Sequence, residues 1–212
     1  LAASLDHVGP ITRTVADAAL LLEALAPSAM ASKARPDTPG DDLSGLRLGM
    51  PANYFHDRLD PEIDRALRGL HQSLAEAGAE LAEIAVPLTE TILPGQWGIM
   101  LSEAAFVHRE NIRTRTAMFG DDVRLLVETG SLLPAQDYLL AKRAQARLQG
   151  AWSDMFTHID ALIVPTVPAV AARRDQDAFT WPDGTSEPVV EAYVRLNAGA
   201  NLTGLPALTV PA

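Results

Sequence analysis

Cysteine is absent from the 212 residues. Its absence excludes disulfides, thiolate metal sites and a cysteine nucleophile, and it suits a reducing, cytoplasmic compartment. Long apolar runs are missing too. None approaches the ~18 residues that a spanning helix needs, so no membrane partner is expected. Positive charge is scarce: 17 Lys and Arg stand against 27 Asp and Glu, for a net charge of −10. The basic residues fall into separate groups, Arg65 and Arg68, then Arg109, Arg113 and Arg115, then Lys142, Arg143 and Arg147. No basic stripe forms, and no nucleic-acid partner is expected. The five histidines are scattered, with no pair at i, i+4 to seat a metal. A glycine-rich phosphate loop and the Gly-x-Ser-x-Gly elbow are both lacking. Lysine is confined to Lys33 and Lys142. Lys33 lies in a linker-like stretch, and Lys142 stands beside Arg143 on a polar helix face. Neither shows the apolar setting that lets a lysine serve as a base.

Apolar residues make up 48% of the chain, and 212 residues suffice for one sizeable α/β domain or two small ones. Thr14 caps a helix over 14–26, with Asp17 three residues on. Residues 27–45 and 171–187 hold little that is large and apolar and read as surface loops. Residues 46–50 alternate and stop at Pro51, as a strand does. Asp60-Pro61-Glu62 is a strong helix start, and the stripe Ile63, Leu67, Leu70 and Leu74 runs on to Gly78. A second strand follows over 81–86. This strand–helix–strand order predicts a parallel pair with a crossover helix. Helices are expected over 96–116, 120–129, 134–157 and 188–200. Leu162-Ile163-Val164 reads as a strand covered on both faces, and 208–210 as a last strand. Strands near 46–50, 81–86, 162–165 and 207–211 are expected to share one sheet, giving an α/β fold.

Four stretches carry a resemblance. Ser4-Leu5-Asp6-His7-Val8-Gly9-Pro10 continues through Thr12-Arg13-Thr14-Val15-Ala16-Asp17-Ala18-Ala19. Ser102-Glu103-Ala104-Ala105 precedes His108-Arg109. Asp160 leads into Leu162-Ile163-Val164-Pro165-Thr166-Val167-Pro168. Asn201-Leu202-Thr203-Gly204-Leu205-Pro206 runs to Val210-Pro211. In order and spacing, over all 212 residues, they resemble the amidase-signature enzymes. The motifs also have backbone reasons. Asp6 and Arg13 flank a Gly-Pro turn that a salt bridge between them would pin. Pro165 and Pro168 end a strand, and Gly204 suits a tight approach.

The resemblance implies the amidase-signature fold, a mixed, mostly parallel sheet covered by helices. It implies an amidase that hydrolyses a carboxylic amide through an acyl-serine intermediate, with a Ser–cis-Ser–Lys triad, backbone N–H groups binding the oxyanion, and no metal or organic cofactor. In that family the triad precedes the Ser4-Leu5-Asp6 block, so no residue here inherits a catalytic role, Ser4 included. The chain is accordingly expected to be an internal fragment, 1–212, of a single amidase-signature domain, inactive alone. Its expected partners are a small-molecule amide in the parent enzyme and either the missing segments or a second copy of the chain. From position in the family pattern, Trp97, Leu125, Thr166, Asn197 and Asn201 are the expected substrate-binding residues. Two alternatives stand beside the amidase. One is the A subunit of glutamyl-tRNA amidotransferase, disfavoured because Leu125-Leu126 and Val194-Arg195 stand where a carboxylate and an ammonium would need opposite charges. The other is a non-catalytic homologue or interaction module.

Overall fold

The computed structural model describes residues 1–26 and 42–211. Most of the expected 27–45 loop therefore lies outside the described residues. Strand β1 (Arg47–Pro51) leads through helix α2 (Pro61–Glu76) to β2 (Glu80–Ile84), after an earlier helix α1 (Val15–Leu25). β1 and β2 pair in parallel, with Leu48 opposite Leu81 and Met50 opposite Glu83. The local chemistry is as the sequence predicts. Asp60 accepts the Glu62 N–H at 2.8 Å, and Pro61 opens the helix without an N–H to leave unpaired. Gly78, at φ +95°, makes the left-handed turn into β2 that a side chain would resist.

The third strand, β3, is only Ala161–Leu162, and it pairs in parallel with the other side of β1. The sheet order is β2-β1-β3. Here the structure corrects two expectations. Residues 161–164 are half-buried, not covered on both faces. Residues 207–211 form no strand at all. Pro206 and Pro211 bring no N–H to a ladder, and what ties this segment to the chain after β3 is a side-chain bond, Thr166 Oγ1 to Thr209 Oγ1 at 3.2 Å.

Helices α3 (Ile92–Arg115) and α5 (Ala135–Met155) carry much of the main core beside the sheet, and α4 (Asp121–Gly130) packs on α3. α5 buries Ala141, Gln145, Leu148, Trp152 and Met155, a stripe at helical spacing. Close helix contacts depend on glycine. A Cβ on Gly130 would fall 2.0 Å from the Leu101 carbonyl oxygen, and one on Gly98 would fall 2.9 Å from Ala141 Cβ. Ile92, Ile99, Leu148, Trp152, Ile159 and Leu202 are the centre of this cluster.

The 188–200 helix of the sequence reading is two helices, α6 (Val189–Arg195) and α7 (Ala198–Thr203). Asn197 causes the break. Its side-chain Nδ2 donates to the Tyr193 carbonyl at 3.0 Å, while its backbone N–H shortens to the Val194 carbonyl at 3.1 Å. Residues 171–187, expected as a loop, contain a hairpin of β4 (Ala178–Thr180) and β5 (Ser186–Pro188). The hairpin is held by pairing that no local pattern announces. Trp181 Nε1 donates to Glu187 at 3.0 Å, and Glu187 takes the Arg195 guanidinium at 3.0 Å, with both charged side chains at most 2% exposed.

α1 differs from the other long helices. Thr14 caps it through the Asp17 N–H as expected, yet it buries no residue, and Leu20, Leu21, Leu22 and Leu25 are exposed. The expected Asp6–Arg13 bridge is not made. Asp6 accepts instead from the N–H of Ala2.

Glu187→Gln should remove one charge from a pair that water does not reach and strand the other. We expect a loss of about 3–5 kcal/mol in urea unfolding of the complete protein. Unchanged unfolding would mean that Arg195 finds another partner.

Candidate functional site

Parallel strands deliver their carboxyl ends to one rim of the sheet, where α/β proteins place ligands. After β3 the chain passes Pro165 to Thr166. The Thr166 carbonyl accepts Asn197 Nδ2 at 3.0 Å, and its hydroxyl meets Thr209. Asn201 lies one turn beyond Asn197, its N–H donating to the Asn197 carbonyl at 3.4 Å. Three of the five expected residues, Thr166, Asn197 and Asn201, thus gather where α6 meets α7. Trp97 is half-buried near the start of α3. That stretch packs against α7, with a Cβ on Gly95 falling 3.6 Å from Leu202. Leu125 stands apart. It is 64% exposed on α4, a helix that packs chiefly against α3.

Arg195 is not part of this group. Besides Glu187, its guanidinium donates to the carbonyls of Tyr54 at 3.3 Å and Arg58 at 3.2 Å. The Tyr54 hydroxyl closes the loop on the Arg195 carbonyl at 2.9 Å, and burial pushes its pKa up to about 12. The charge that the sequence places beside Asn197 is spent on the fold.

The structure adds a polar cluster that sequence reasoning missed. Lys142, read from the sequence as solvated, is half-buried and donates to Ser4 Oγ at 3.0 Å and to Gln145 Oε1. Glu103 accepts the Ser4 N–H at 2.9 Å and the Tyr138 hydroxyl at 3.0 Å. Gln145 Nε2 donates to the Ser4 carbonyl at 3.2 Å and the Leu202 carbonyl at 3.1 Å, and Gln149 donates to the same Leu202 oxygen at 3.1 Å. Burial pushes the Glu103 carboxyl up. The Ser4 and Tyr138 hydrogen bonds and the Lys142 charge outweigh burial and hold it below its usual range. The sequence did carry a signal: Tyr138, Lys142, Gln145 and Gln149 recur at i, i+4, i+7 and i+11 on one helix face. Lys142 donates to Ser4 here, the reverse of the bond through which a lysine would take a serine proton.

A cavity of about 700 Å³ opens on the same rim, at the carboxyl end of β1, lined by His56, Arg68, His71 and Trp181 among others. None of the five expected residues lines it. Among the described residues no three His, Asp or Glu side chains gather as a metal site, and no helix is long and apolar enough to cross a membrane.

The family model described as Amidase matches residues 1–212. An amidase of Pseudomonas putida is 46% identical over 216 residues, covering 98% of this chain and 46% of that protein. The A subunit of the glutamyl-tRNA(Gln) amidotransferase of Chromohalobacter salexigens is 32% identical over 243 residues, covering 100% of this chain and 49% of that protein. A crystal structure of an amidase superposes with a TM-score of 0.83 at 26% identity, over 96% of this chain and 45% of that one. The chain thus spans about half the length of the curated relatives it matches.

Glu103 makes the cluster pH-sensitive in a defined direction. Its folded pKa is depressed, so its contribution is present above the unfolded value, about 4.3, and is lost as pH falls through the folded value. We expect Glu103→Gln to flatten part of the acid limb of stability below about pH 5, followed by urea midpoints from pH 3 to 7. An acid limb identical to that of the unsubstituted protein would contradict the assignment.

Proposed function

The chain belongs to the Amidase family, and from that premise we propose that it forms part of an enzyme that hydrolyses a carboxylic amide to an acid and ammonia or an amine. The observation that carries this reading is the 46% identity to the Pseudomonas putida amidase along 98% of the chain. The catalytic step we assign is attack by a serine, release of the amine, and hydrolysis of the acyl-enzyme by water. The serine and its lysine base come from outside these 212 residues, which make up one part of a single amidase domain. This part contributes a wall of the substrate pocket through Thr166, Asn197 and Asn201, with Trp97 beside them and Leu125 at its margin. The compartment we assign is the cytoplasm.

The A subunit of an amidotransferase is the second reading, supported by 32% identity over the whole chain. Two observations favour the amidase. Leu125 and Leu126 are apolar and exposed on α4, and Arg195 is locked to Glu187. Neither place offers the charge that would hold the two ends of an amino-acid substrate.

The exposed leucines of α1 fit the same proposal. An 11-residue helix that buries nothing is marginal in water by its own propensity, and the remainder of the domain is the surface we assign to it.

The test is direct. The complete protein should turn over simple carboxamides, and a serine-directed fluorophosphonate should abolish that activity. The 212-residue chain alone should show none. A complete protein that is folded but inert toward a broad amide panel would favour a non-catalytic homologue. Turnover by the 212-residue chain would place the nucleophile inside it and overturn the division of labour proposed here.

A further inference from the structure

The polar cluster under α7 is costly to keep. Glu103 and Lys142 are half-buried, and Gln145 is 6% exposed. Well-packed apolar side chains often stabilise such a place at least as well as buried charges do. What the polar groups add is direction. Each hydrogen bond fixes one chain segment relative to another, and four segments meet here: the turn at Ser4, α3 through Glu103, α5 through Tyr138, Lys142 and Gln145, and α7 through the Leu202 carbonyl.

The last of these bonds reaches the mouth. The Leu202 carbonyl is at the C-terminal end of a six-residue helix, where the helix leaves its own acceptors free. Gln145 and Gln149 both donate to it. Leu202 directly follows Asn201, and its side chain packs at Gly95, two residues before Trp97. A shift of Leu202 therefore moves Asn201 and changes the seat of Trp97 together.

We propose that Glu103 and Lys142 are positioning residues for the substrate mouth. Through Ser4 and Gln145 they hold α7 against α3 and so set substrate affinity, without touching the reacting atoms. What the mouth binds rests on the amidase reading above; the mechanical linkage does not. If the cluster positions the mouth, its loss weakens binding of ground and transition state alike, which raises KM and leaves kcat nearly unchanged. If it merely stabilises the fold, its loss lowers the active fraction, which depresses apparent kcat and leaves KM alone.

The experiment uses the complete protein with Glu103→Gln, Lys142→Met and Lys142→Arg, and Leu67→Ala in α2 as a destabilised control remote from the mouth. The substrate is a simple aryl carboxamide. Hydrogen exchange is followed at Ala198–Thr203 and at residues 2–6. We expect Glu103→Gln and Lys142→Met to raise KM about tenfold with kcat within about threefold. Exchange of α7 amides should quicken about tenfold while β1 and β2 stay protected. Lys142→Arg should restore most of both. Leu67→Ala should lower the melting temperature without moving KM. The proposal is overturned if Glu103→Gln and Lys142→Met behave as Leu67→Ala does, or if α7 exchange is unchanged. Should Glu103→Gln fail to fold, Lys142→Met and its arginine counterpart carry the test. A complete protein without amidase activity would defeat the functional reading, and the exchange measurements would still decide the linkage.

Discussion

Arg195 and Glu187 bring opposite charges together where water does not reach, at 1% and 2% exposure. Such a pair is tolerated only when every remaining donor and acceptor is met. The surroundings supply the rest: the carbonyls of Tyr54 and Arg58, the Arg58 guanidinium at 3.3 Å, and the indole of Trp181. In meeting that demand the chain fixes the hairpin β4–β5, the loop after β1 and the end of α6. Tyr54 and Arg58 even hold positive φ, 64° and 53°, unusual for residues with side chains. Two residues beyond Arg195 stands Asn197. Its place at the α6–α7 junction follows from this charge pair.

The α6–α7 junction is therefore held from two sides. On one side the Arg195–Glu187 pair sets where α6 ends and α7 begins. On the other, the Glu103–Ser4–Lys142–Gln145 cluster sets where α7 lies against α3 and α5. Between them, Asn197 joins α6 to the chain after β3 through the Thr166 carbonyl. Each anchor is polar and directional, the means by which a fold places side chains more finely than apolar contact alone. The catalytic chemistry we assign needs such a wall: a serine attacks productively only on a carbonyl held in line.

What was legible in the sequence was local. The Asp60-Pro61-Glu62 start, the strand ending at Pro51 and the stripe along α2 each rest on neighbours a few residues apart, and each is realised. The illegible parts depend on distant partners. Lys142 looks solvated beside Arg143 until Ser4, 138 positions away, meets it. Residues 171–187 look like a loop because Trp181 and Glu187 are buried only through their bond to each other and to Arg195. Gly204 was read as permitting close approach. Its real constraint is the left-handed φ of +73° that caps α7, with nothing nearer a Cβ there than His7 Nε2 at 4.0 Å. Of the five expected binding residues, the three that gather are those in the motifs after β3 and around α7. Leu125, placed like the other four by position in the family pattern, is turned outward on α4.

The central claim is that the α6–α7 junction and the chain after β3 wall the pocket in which an amide is cleaved. The most direct measurement is a crystal structure of the complete protein with its nucleophile trapped by a fluorophosphonate bearing an acyl-like chain. The account predicts that the trapped group lies in contact with Thr166, Asn197 or Asn201, with Trp97 alongside. A trapped group seated away from all four, for instance in the cavity at the carboxyl end of β1, would contradict it.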